Sequence, residues 1–142
     1  MLHGAPTFLR AMSTPPTPAV PRFAYRIVCS DELAVIRATG VFKGSELDHR
    51  DGYMHLSVLS EVLPTAGLYF PGRPDLHALQ VELSRVPGAV IRQDYVASRN
   101  AFFPHIVSGD DGYAVPLSAC VAVHPLRLVE GAFVPFEEKA GE

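Results

Sequence analysis

The stretch FAYRIVCSDELAVIRATG, residues 23–40, predicts how the fold begins. FAYRIV is rich in aromatic and branched residues that favour a strand. Ser30 is a good helix N-cap, and Asp31 and Glu32 suit the positive end of the helix dipole. Gly40 can end that helix. We therefore expect a strand followed directly by a helix.

Further short elements are predicted along the rest of the chain. KGSELDHRDG, residues 43–52, predicts a polar loop, and SEVLPTAGLYF, residues 60–70, predicts a second helix with Pro64 near its first turn. Residues 76–83 and 89–97 predict two strands joined by a turn, and residues 117–129 predict one or two more. This pattern favours an α+β fold of mainly antiparallel strands in two sheets with two short helices.

The length of 142 residues suits one domain, which we place at residues 23–135. Residues 1–22 contain five of the thirteen prolines and no acidic residue, so we expect a flexible tail there. Arg10 and Arg22 leave a transit peptide open as an alternative, although the prolines disfavour the amphipathic helix it needs. Residues 136–142 are expected to form a frayed acidic end.

Composition excludes several classes of protein. Apolar residues make up 48% of the chain, and no apolar run approaches the roughly 18 residues of a membrane-spanning helix, so no membrane association is expected. A net charge of -3 gives no strong signal for nucleic acid. Cys29 and Cys120 show no paired spacing, which favours free thiols and a cytoplasmic location.

The stretch DGYMHLS, residues 51–57, is the first candidate for a functional site. It is typical of a half-buried strand, in which alternate side chains share a face. One face then carries Tyr53, His55 and Ser57, whereas the core face carries Met54, Leu56 and Val58. The first of these faces is the one available for chemistry.

Common catalytic motifs are absent from the sequence. It has no phosphate loop, GxGxxG, HExxH, GxSxG or CxxC pattern. Ser57 and His55 cannot form a hydrolase dyad, because neighbours on one strand face point in parallel. A metal site built from His55, His105 and Asp48 or Asp51 remains as a third alternative, namely a metal-dependent hydrolase.

The stretch ASRNAFFPHIVSGDDG, residues 97–112, is the second candidate. Arg99 offers a charged fork for a phosphate, and His105 follows a rigid Phe-Pro pair. Flat apolar walls for a ring can come from aromatic side chains, namely Tyr53, Tyr69 and Phe103. Together with His55 and Ser57 as hydroxyl partners, this inventory suits a nucleotide. The structural alternative is an exposed turn and a histidine bonded to a backbone carbonyl.

The segments YRIV, GVFKGSELDHRDGYMHLS, SRNAFFPH and PLSACVAVHPL, within residues 23–126, resemble the family called domain of unknown function 952. The resemblance implies a fold similar to that of ADP-ribosyltransferases, which bind NAD in a cleft between two small antiparallel sheets. It also implies that the family's first histidine, its hydroxyl, its arginine and its second histidine correspond to His55, Ser57, Arg99 and His105. The family's Trp-Glu-Pro-Ser-Arg-Gly-Gly is replaced here by RQDYVASRNA, so Asp94 stands for the glutamate.

The resemblance and the inventory together predict a protein with an NAD-like nucleotide pocket. His55, Ser57 and His105 are the predicted catalytic residues; His55, Ser57, Arg99, Tyr53 and Phe103 are the predicted NAD-binding residues. Asp94, Asp110 or Asp111 would activate the acceptor, whose identity the sequence does not indicate. An ADP-ribosyl or related transfer is one expectation, and a non-catalytic module that binds a nucleotide or metabolite and regulates a partner is the alternative.

Overall fold

The computed structural model describes residues 14–141. It contains three α-helices: α1 (Ser30–Thr39), α2 (Glu46–Asp51) and α3 (Leu59–Tyr69). Its strands are β1 (Phe23–Cys29), β2 (Val41–Phe42), β3 (Leu76–Glu82), β4 (Val90–Val96), β5 (Ala101–Ser108), β6 (Val115–Pro116), β7 (Cys120–Pro125), β8 (Leu128–Val129) and β9 (Ala132–Phe133). Short 3₁₀ turns lie at Leu83–Arg85, Ala97–Arg99 and Leu117–Ala119.

The strands form several small antiparallel sheets. The largest has the order β1-β3-β7, so β3 is its central strand. β4 and β5 form a long hairpin, and β2-β6 and β8-β9 are two-residue ladders. The predicted α+β class with antiparallel strands is confirmed, but the described residues form four sheets where two were expected.

The first predicted strand and helix are confirmed. The cap lies one residue earlier than expected, at Cys29, whose backbone N–H donates to the Glu32 carboxylate at 2.9 Å. Gly40 ends α1 with a φ of 80°, a left-handed conformation that glycine adopts without a steric penalty.

The prediction of two helices is wrong, because α2 lies inside the expected polar loop. Ser45 and Asp48 form a capping box, in which the Ser45 N–H donates to Asp48 Oδ2 at 2.7 Å. Gly44, with a φ of 100°, lets the chain pass close to Asp48, where an added Cβ would lie 3.1 Å from the Asp48 Cβ. A six-residue polar helix has no apolar stripe, so hydrophobic periodicity cannot detect it.

The core lies on both faces of the β1-β3-β7 sheet. On what we call the α1 face, sheet residues pack with α1 and with residues 54 and 106; the buried members include Ala24, Val28, Leu33, Ile36, Met54, Leu79, Val81 and Ile106. On the opposite α3 face, sheet residues pack with α3; the buried members include Tyr25, Ile27, Val62, Ala66, Leu76 and Ala78. The central sheet is thus covered on both sides.

Residues 53–57 form an extended segment that joins the sheet to the hairpin. Met54 and Ile106 exchange backbone hydrogen bonds of 2.9 and 3.2 Å, and Tyr25 and Ser57 exchange bonds of 2.7 and 2.9 Å. These are isolated bridges, so the expectation of a continuous strand is wrong. The predicted division of faces holds where the bridges lie, because Met54 is fully buried whereas His55 is half-buried.

The structure describes less of the N-terminal end of the chain than of the C-terminal end. The predicted tail falls partly on residues 1–13, which lie outside the described residues. Closer to the domain, the Ala19 carbonyl accepts a 3.0 Å hydrogen bond from Gln93 Nε2. Among residues 14–141, no helix is long and apolar enough to cross a membrane.

Candidate functional site

A fully buried carboxylate, Asp48, lies at the base of the candidate site. Arg26 on β1 binds both of its oxygens, with Nη1–Oδ1 and Nη2–Oδ2 distances of 2.8 Å each. Ser45 donates to Oδ2 from its backbone N–H at 2.7 Å and from its hydroxyl at 3.0 Å. His55 donates to Oδ1 from its backbone at 2.9 Å and from Nδ1 at 2.7 Å. Asp48 thereby ties β1, α2 and the extended segment together.

The protonation of Asp48 follows from these contacts. Burial acts to raise the pKa of this carboxyl, but the hydrogen bonds from His55 and Arg26 and the Arg26 charge outweigh it. The Asp48 pKa therefore lies far below its ordinary value, and the side chain is an anion at any physiological pH.

His55 lies between two carboxylates. Its Nδ1 contacts Asp48, and its Nε2 lies 2.9 Å from Oδ2 of the exposed Asp51. Each ring nitrogen therefore faces a carboxylate oxygen, which can only accept a hydrogen bond. The orientation of His55 is thus fixed at both nitrogens, and a ligand reaches Nε2 only by replacing Asp51.

His105 forms a second histidine–carboxylate pair, on the β4-β5 hairpin. Its Nδ1 lies 2.7 Å from Asp94 Oδ2, and Asp94 in turn accepts Arg92 bonds of 2.7 and 3.0 Å. Nε2 of His105 has no hydrogen-bond partner among the described residues, and it is not one of their enclosed unpaired polar atoms. This nitrogen is therefore the unpaired end of an imidazole that is only 5% exposed as a whole residue.

Burial has opposite effects on the two members of this pair. It is the largest influence on His105 and lowers the pKa of the imidazole, although the Asp94 hydrogen bond opposes it. Burial acts to raise the pKa of Asp94, but hydrogen bonds from Arg92 and His105 outweigh it and hold that pKa below its ordinary value. At neutral pH the pair is a carboxylate and an uncharged imidazole whose Nδ1–H points at Asp94.

Four rings lie next to one another in the site, and we call them the ring row: His55, Tyr53, His105 and Phe103. His55 and Tyr53 are half-buried, whereas His105 and Phe103 are buried. The Tyr53 centroid lies 4.5 Å from that of His55 and 4.8 Å from that of His105, on which it stacks. The two imidazoles are 5.1 Å apart. The Arg92 guanidinium lies 4.8 Å above Tyr53, so a cation already covers part of that ring.

Arg99 lies at the far end of the ring row, with its guanidinium 5.0 Å from the Phe103 centroid. Its Nη2 is bonded to Glu61 Oε1 and to the Thr65 hydroxyl, both at 2.8 Å and both on α3. The predicted phosphate ligand is therefore already paired with a carboxylate. Any anion that binds there shares the arginine with Glu61.

The structure brings most of the predicted site residues together. His55, Tyr53, His105 and Phe103 form the ring row, Arg99 ends it, and Asp94 supports it. Ser57 lies two residues beyond His55, paired through its backbone with Tyr25. Tyr69 is 67% exposed at the end of α3 and does not join the row.

Other predicted contributors lie outside the ring row. Asp110 and Asp111 follow β5, where the Asp110 N–H donates to the Pro87 carbonyl at 3.0 Å. The Tyr113 hydroxyl lies 2.7 Å from His49 Nδ1 on α2, so this tyrosine packs against the helix that carries Asp48.

The metal alternative requires three or more ligands around one point. In the part of the chain that the structure describes, no such group of His, Cys, Asp or Glu side chains is arranged to hold an ion. Asp48 and Asp51 bind the two nitrogens of His55 from opposite ends of the ring instead of converging with them on a centre.

Two arginines of the site were not predicted from the sequence. Arg26 lies on β1, and its partner Asp48 is twenty-two residues away. For Arg92, the only signal in the sequence is its position two residues before Asp94, which places both side chains on the same face of a strand. The polar residue at the centre of FAYRIV was the available signal for Arg26, because a charge on a strand buried on both faces needs a partner.

The comparisons with known proteins agree with the motifs. The model of a family described as protein of unknown function, DUF952, matches residues 27–123. The chain belongs to the DUF952 family. No curated protein matches the sequence.

Solved structures similar to this DUF952 chain come from protein CC0527 of Caulobacter crescentus. A crystal structure of a double mutant of CC0527 is 27% identical and covers 79% of this chain and 93% of its own, with a TM-score of 0.67. A second crystal structure of CC0527 has the same identity and coverage, with a TM-score of 0.65. The solution structure is 28% identical, covers 80% and 91%, and gives 0.60. The expected likeness to ADP-ribosyltransferases stays a prediction.

Proposed function

We propose that this DUF952 protein is a transferase-like enzyme in which His105 acts as a general base on a nucleotide lying against the ring row. The observation that carries the proposal is the His105–Asp94 pair: a carboxylate fixes Nδ1–H, burial favours the neutral ring, and Nε2 has no hydrogen-bond partner among the described residues. An imidazole held in this tautomer is suited to take a proton from a hydroxyl or a water.

NAD is the nucleotide that we propose for the site. The acceptor oxygen forms a bond to the ribose carbon while the bond from that carbon to nicotinamide breaks, and nicotinamide leaves as a neutral molecule with the electron pair. His105 Nε2 takes the acceptor proton. Positive charge develops on the ribose during this step, and the carboxylates of Asp51 and Asp94 lie close enough to the ring row to stabilise it.

The other residues of the site position the ligand. His55 and Ser57 would hold ribose hydroxyls, with Asp51 giving up His55 Nε2 to the ligand. Arg99 would meet the pyrophosphate while remaining bonded to Glu61. Phe103 would support a planar ring.

The test combines two measurements on the same protein. The chain is incubated with NAD while nicotinamide release and the change in melting temperature are followed. We expect slow release by the wild type and a loss of at least about 100-fold in His105→Asn, the size typical of removing a general base. His77→Ala, a histidine on β3 away from the ring row, is the matched control and should release nicotinamide at the wild-type rate.

A second function is favoured by the pairing of the arginines. Arg26, Arg92 and Arg99 each bind a carboxylate, so these guanidinium groups hold other side chains of the site in position and do not themselves exchange protons, which suits a binding pocket. The candidate is a non-catalytic module that binds a nucleotide and regulates a partner. A rise in melting temperature with NAD and no nicotinamide release would favour it, whereas neither signal would contradict both functions.

A further inference from the structure

Residues 134–141 cross the α3 face of the central sheet without forming a helix or strand. Most of their side chains are exposed. Near its start the segment is bonded from the Val134 N–H to the Arg127 carbonyl at 2.9 Å, and Gly141 lies close to the Arg22 guanidinium. Between these points the segment contacts three residues of the sheet, Tyr25, Gln80 and His124, which we call the groove residues.

Gln80 binds the backbone of the segment. Its side-chain Nε2 donates to the Lys139 carbonyl at 2.8 Å, and its Oε1 accepts from the Lys139 N–H at 2.9 Å. His124 Nε2 lies 2.8 Å from the same Oε1 and fixes the amide orientation. Gln80 is fully buried, so this amide depends on the segment for its partners. Both bonds go to main-chain atoms, so they do not depend on the side chain at position 139.

Phe136 supplies the aromatic contact. Its ring stacks on His124 with centroids 4.4 Å apart and lies 5.9 Å from Tyr25. Two residues later, the Glu138 carboxylate accepts a hydrogen bond from the Tyr25 hydroxyl. The groove thus contacts an aromatic ring, a carboxylate and both main-chain polar groups of one residue, in that order.

We propose that the groove residues form a docking site for an extended peptide that carries an aromatic residue and, two positions later, a carboxylate, and that residues 136–139 occupy it in cis. The chemistry is that of peptide recognition, in which main-chain bonds hold the peptide and side-chain pockets select it. A segment that only covered apolar surface would need neither a buried amide nor a carboxylate aimed at a tyrosine.

The proposal requires residues 136–139 to leave the groove while the domain stays folded. Most of their side chains are exposed, and the entropy of ordering them opposes the contacts that hold them in the groove. A tethered segment competes with an external peptide at an effective concentration of the order of mM. Weakening the segment should therefore strengthen binding of the same peptide from solution.

The test uses the full chain and a fluorescent peptide with the sequence of residues 134–141, VPFEEKAG, followed by fluorescence anisotropy. We expect Phe136→Ala protein to bind the peptide at least about tenfold more tightly than the wild type. Lys139→Ala is the matched control and should behave as the wild type, because only the backbone of that residue contacts Gln80. A peptide with alanine in place of its phenylalanine should bind at least about tenfold more weakly.

Several results would overturn the proposal. The first is equal peptide affinity of wild-type and Phe136→Ala protein, and the second is unchanged affinity when Gln80→Leu is added to Phe136→Ala. If Phe136→Ala does not fold, hydrogen exchange at the Lys139 amide of the wild type is measured instead. Excess unlabelled peptide should accelerate that exchange, and no acceleration contradicts the proposal. A wild-type dimer that dissociates on Phe136→Ala substitution would assign the groove to a second copy and reject a foreign peptide.

Discussion

Asp48 and His105 are both ionisable and both buried, but Asp48 is charged at neutral pH and His105 is not. Asp48 keeps its charge in the interior because Arg26, Ser45 and His55 supply donors to both oxygens. His105 has one carboxylate partner, and burial lowers its pKa and favours the neutral ring. The first residue builds the site, whereas the second is free to exchange a proton there.

Asp48→Asn should destabilise the protein strongly. The amide has the same shape, but it leaves the Arg26 charge without its partner in a largely buried place, and breaking such a pair costs about 3–5 kcal/mol. Asp51→Asn is the control, because Asp51 is exposed and its loss should hardly change the free energy of unfolding. Urea denaturation of both variants at neutral pH measures the difference; equal stabilities would show that the buried pair is dispensable.

The pKa of His105 predicts a pH dependence of stability. Because this pKa is lower in the folded protein than in the unfolded chain, the unfolded state binds more protons below the ordinary histidine pKa of about 6.5. The free energy of unfolding should therefore fall between pH 7.5 and pH 5. His105→Asn can still donate to Asp94 and should show a shallower fall. Parallel pH curves for the two proteins would assign the effect to other groups, such as His124, whose pKa burial also lowers.

Helix α3 carries a proline in its interior and a carboxylate that holds Arg99. Pro64 is the sixth residue of Leu59–Tyr69, close to the first turn as expected but inside the helix. It removes the N–H that would bond to the carbonyl four residues earlier. Val62 and Ala66 nevertheless keep the helix on the α3 face, and Glu61 and Thr65 keep Arg99 against Phe103.

Pro64→Ala should stabilise the protein. A proline in a helix interior destabilises the helix by about 3 kcal/mol relative to alanine. Proline also makes the unfolded chain more rigid, and losing that effect in the alanine variant reduces the gain by less than about 1 kcal/mol. Pro64 is exposed, so no packing is lost, and a gain of up to about 2 kcal/mol is expected. Gly67→Ala, at another exposed position of the same helix with open space for a Cβ, is a comparison expected to gain about 1 kcal/mol. A decrease in melting temperature for Pro64→Ala would mean that the proline itself stabilises this part of the fold.

The sequence predicts those elements that carry their own signal. β1, α1, α3 and β3 have apolar periodicity and end signals, and each was placed within about two residues, the usual uncertainty of helix and strand ends. β5 was missed because Pro104 disfavours a strand. Within the described residues, the edge of β5 away from β4 carries only the isolated bridge of Ile106 to Met54, and such an edge position tolerates proline. α2 was missed because its stability comes from capping and not from an apolar stripe.

The site was predictable in its histidines but not in their partners. The face shared by Tyr53 and His55 follows from the period of two in extended chain. The pairing of Asp48 with Arg26 and the stacking of Tyr53 on His105 depend on how the hairpin and the sheet come together, and local pattern carries no information on that. Leu56, by contrast, was assigned to the core from alternation alone, and it is 2% exposed.

At the scale of the whole molecule, stability should be distributed unevenly among the sheets. β3 is bonded on both sides by β1 and β7, and its residues Leu79 and Val81 are fully buried. β4 has a single partner strand within residues 14–141, and its side chains are half-buried or exposed. The central sheet and the hairpin therefore differ in how much of the fold must open to expose their amides.

Native-state hydrogen exchange should show this difference. The amides of Leu79 and Val81 should exchange only through global unfolding, with a steep dependence on denaturant. Amides of β4 should exchange faster, through local opening with a shallow dependence. Equal exchange free energies and slopes for β3 and β4 would show that the hairpin and the sheet unfold as one unit.

The two backbone bridges on either side of His55 have a mechanical consequence. The bridge at Ser57 pins the segment to β1, and the bridge at Met54 pins it to β5 beside His105, so any tilt of the hairpin against the sheet is transmitted across His55. His55 is anchored to the sheet side through Asp48 and Arg26, whereas His105 travels with the hairpin. The 5.1 Å distance between the centroids of the two imidazoles should therefore change with that tilt. A molecule that binds both rings should hold the hairpin at one angle to the sheet, whereas a molecule that binds a single ring should leave that angle unrestricted.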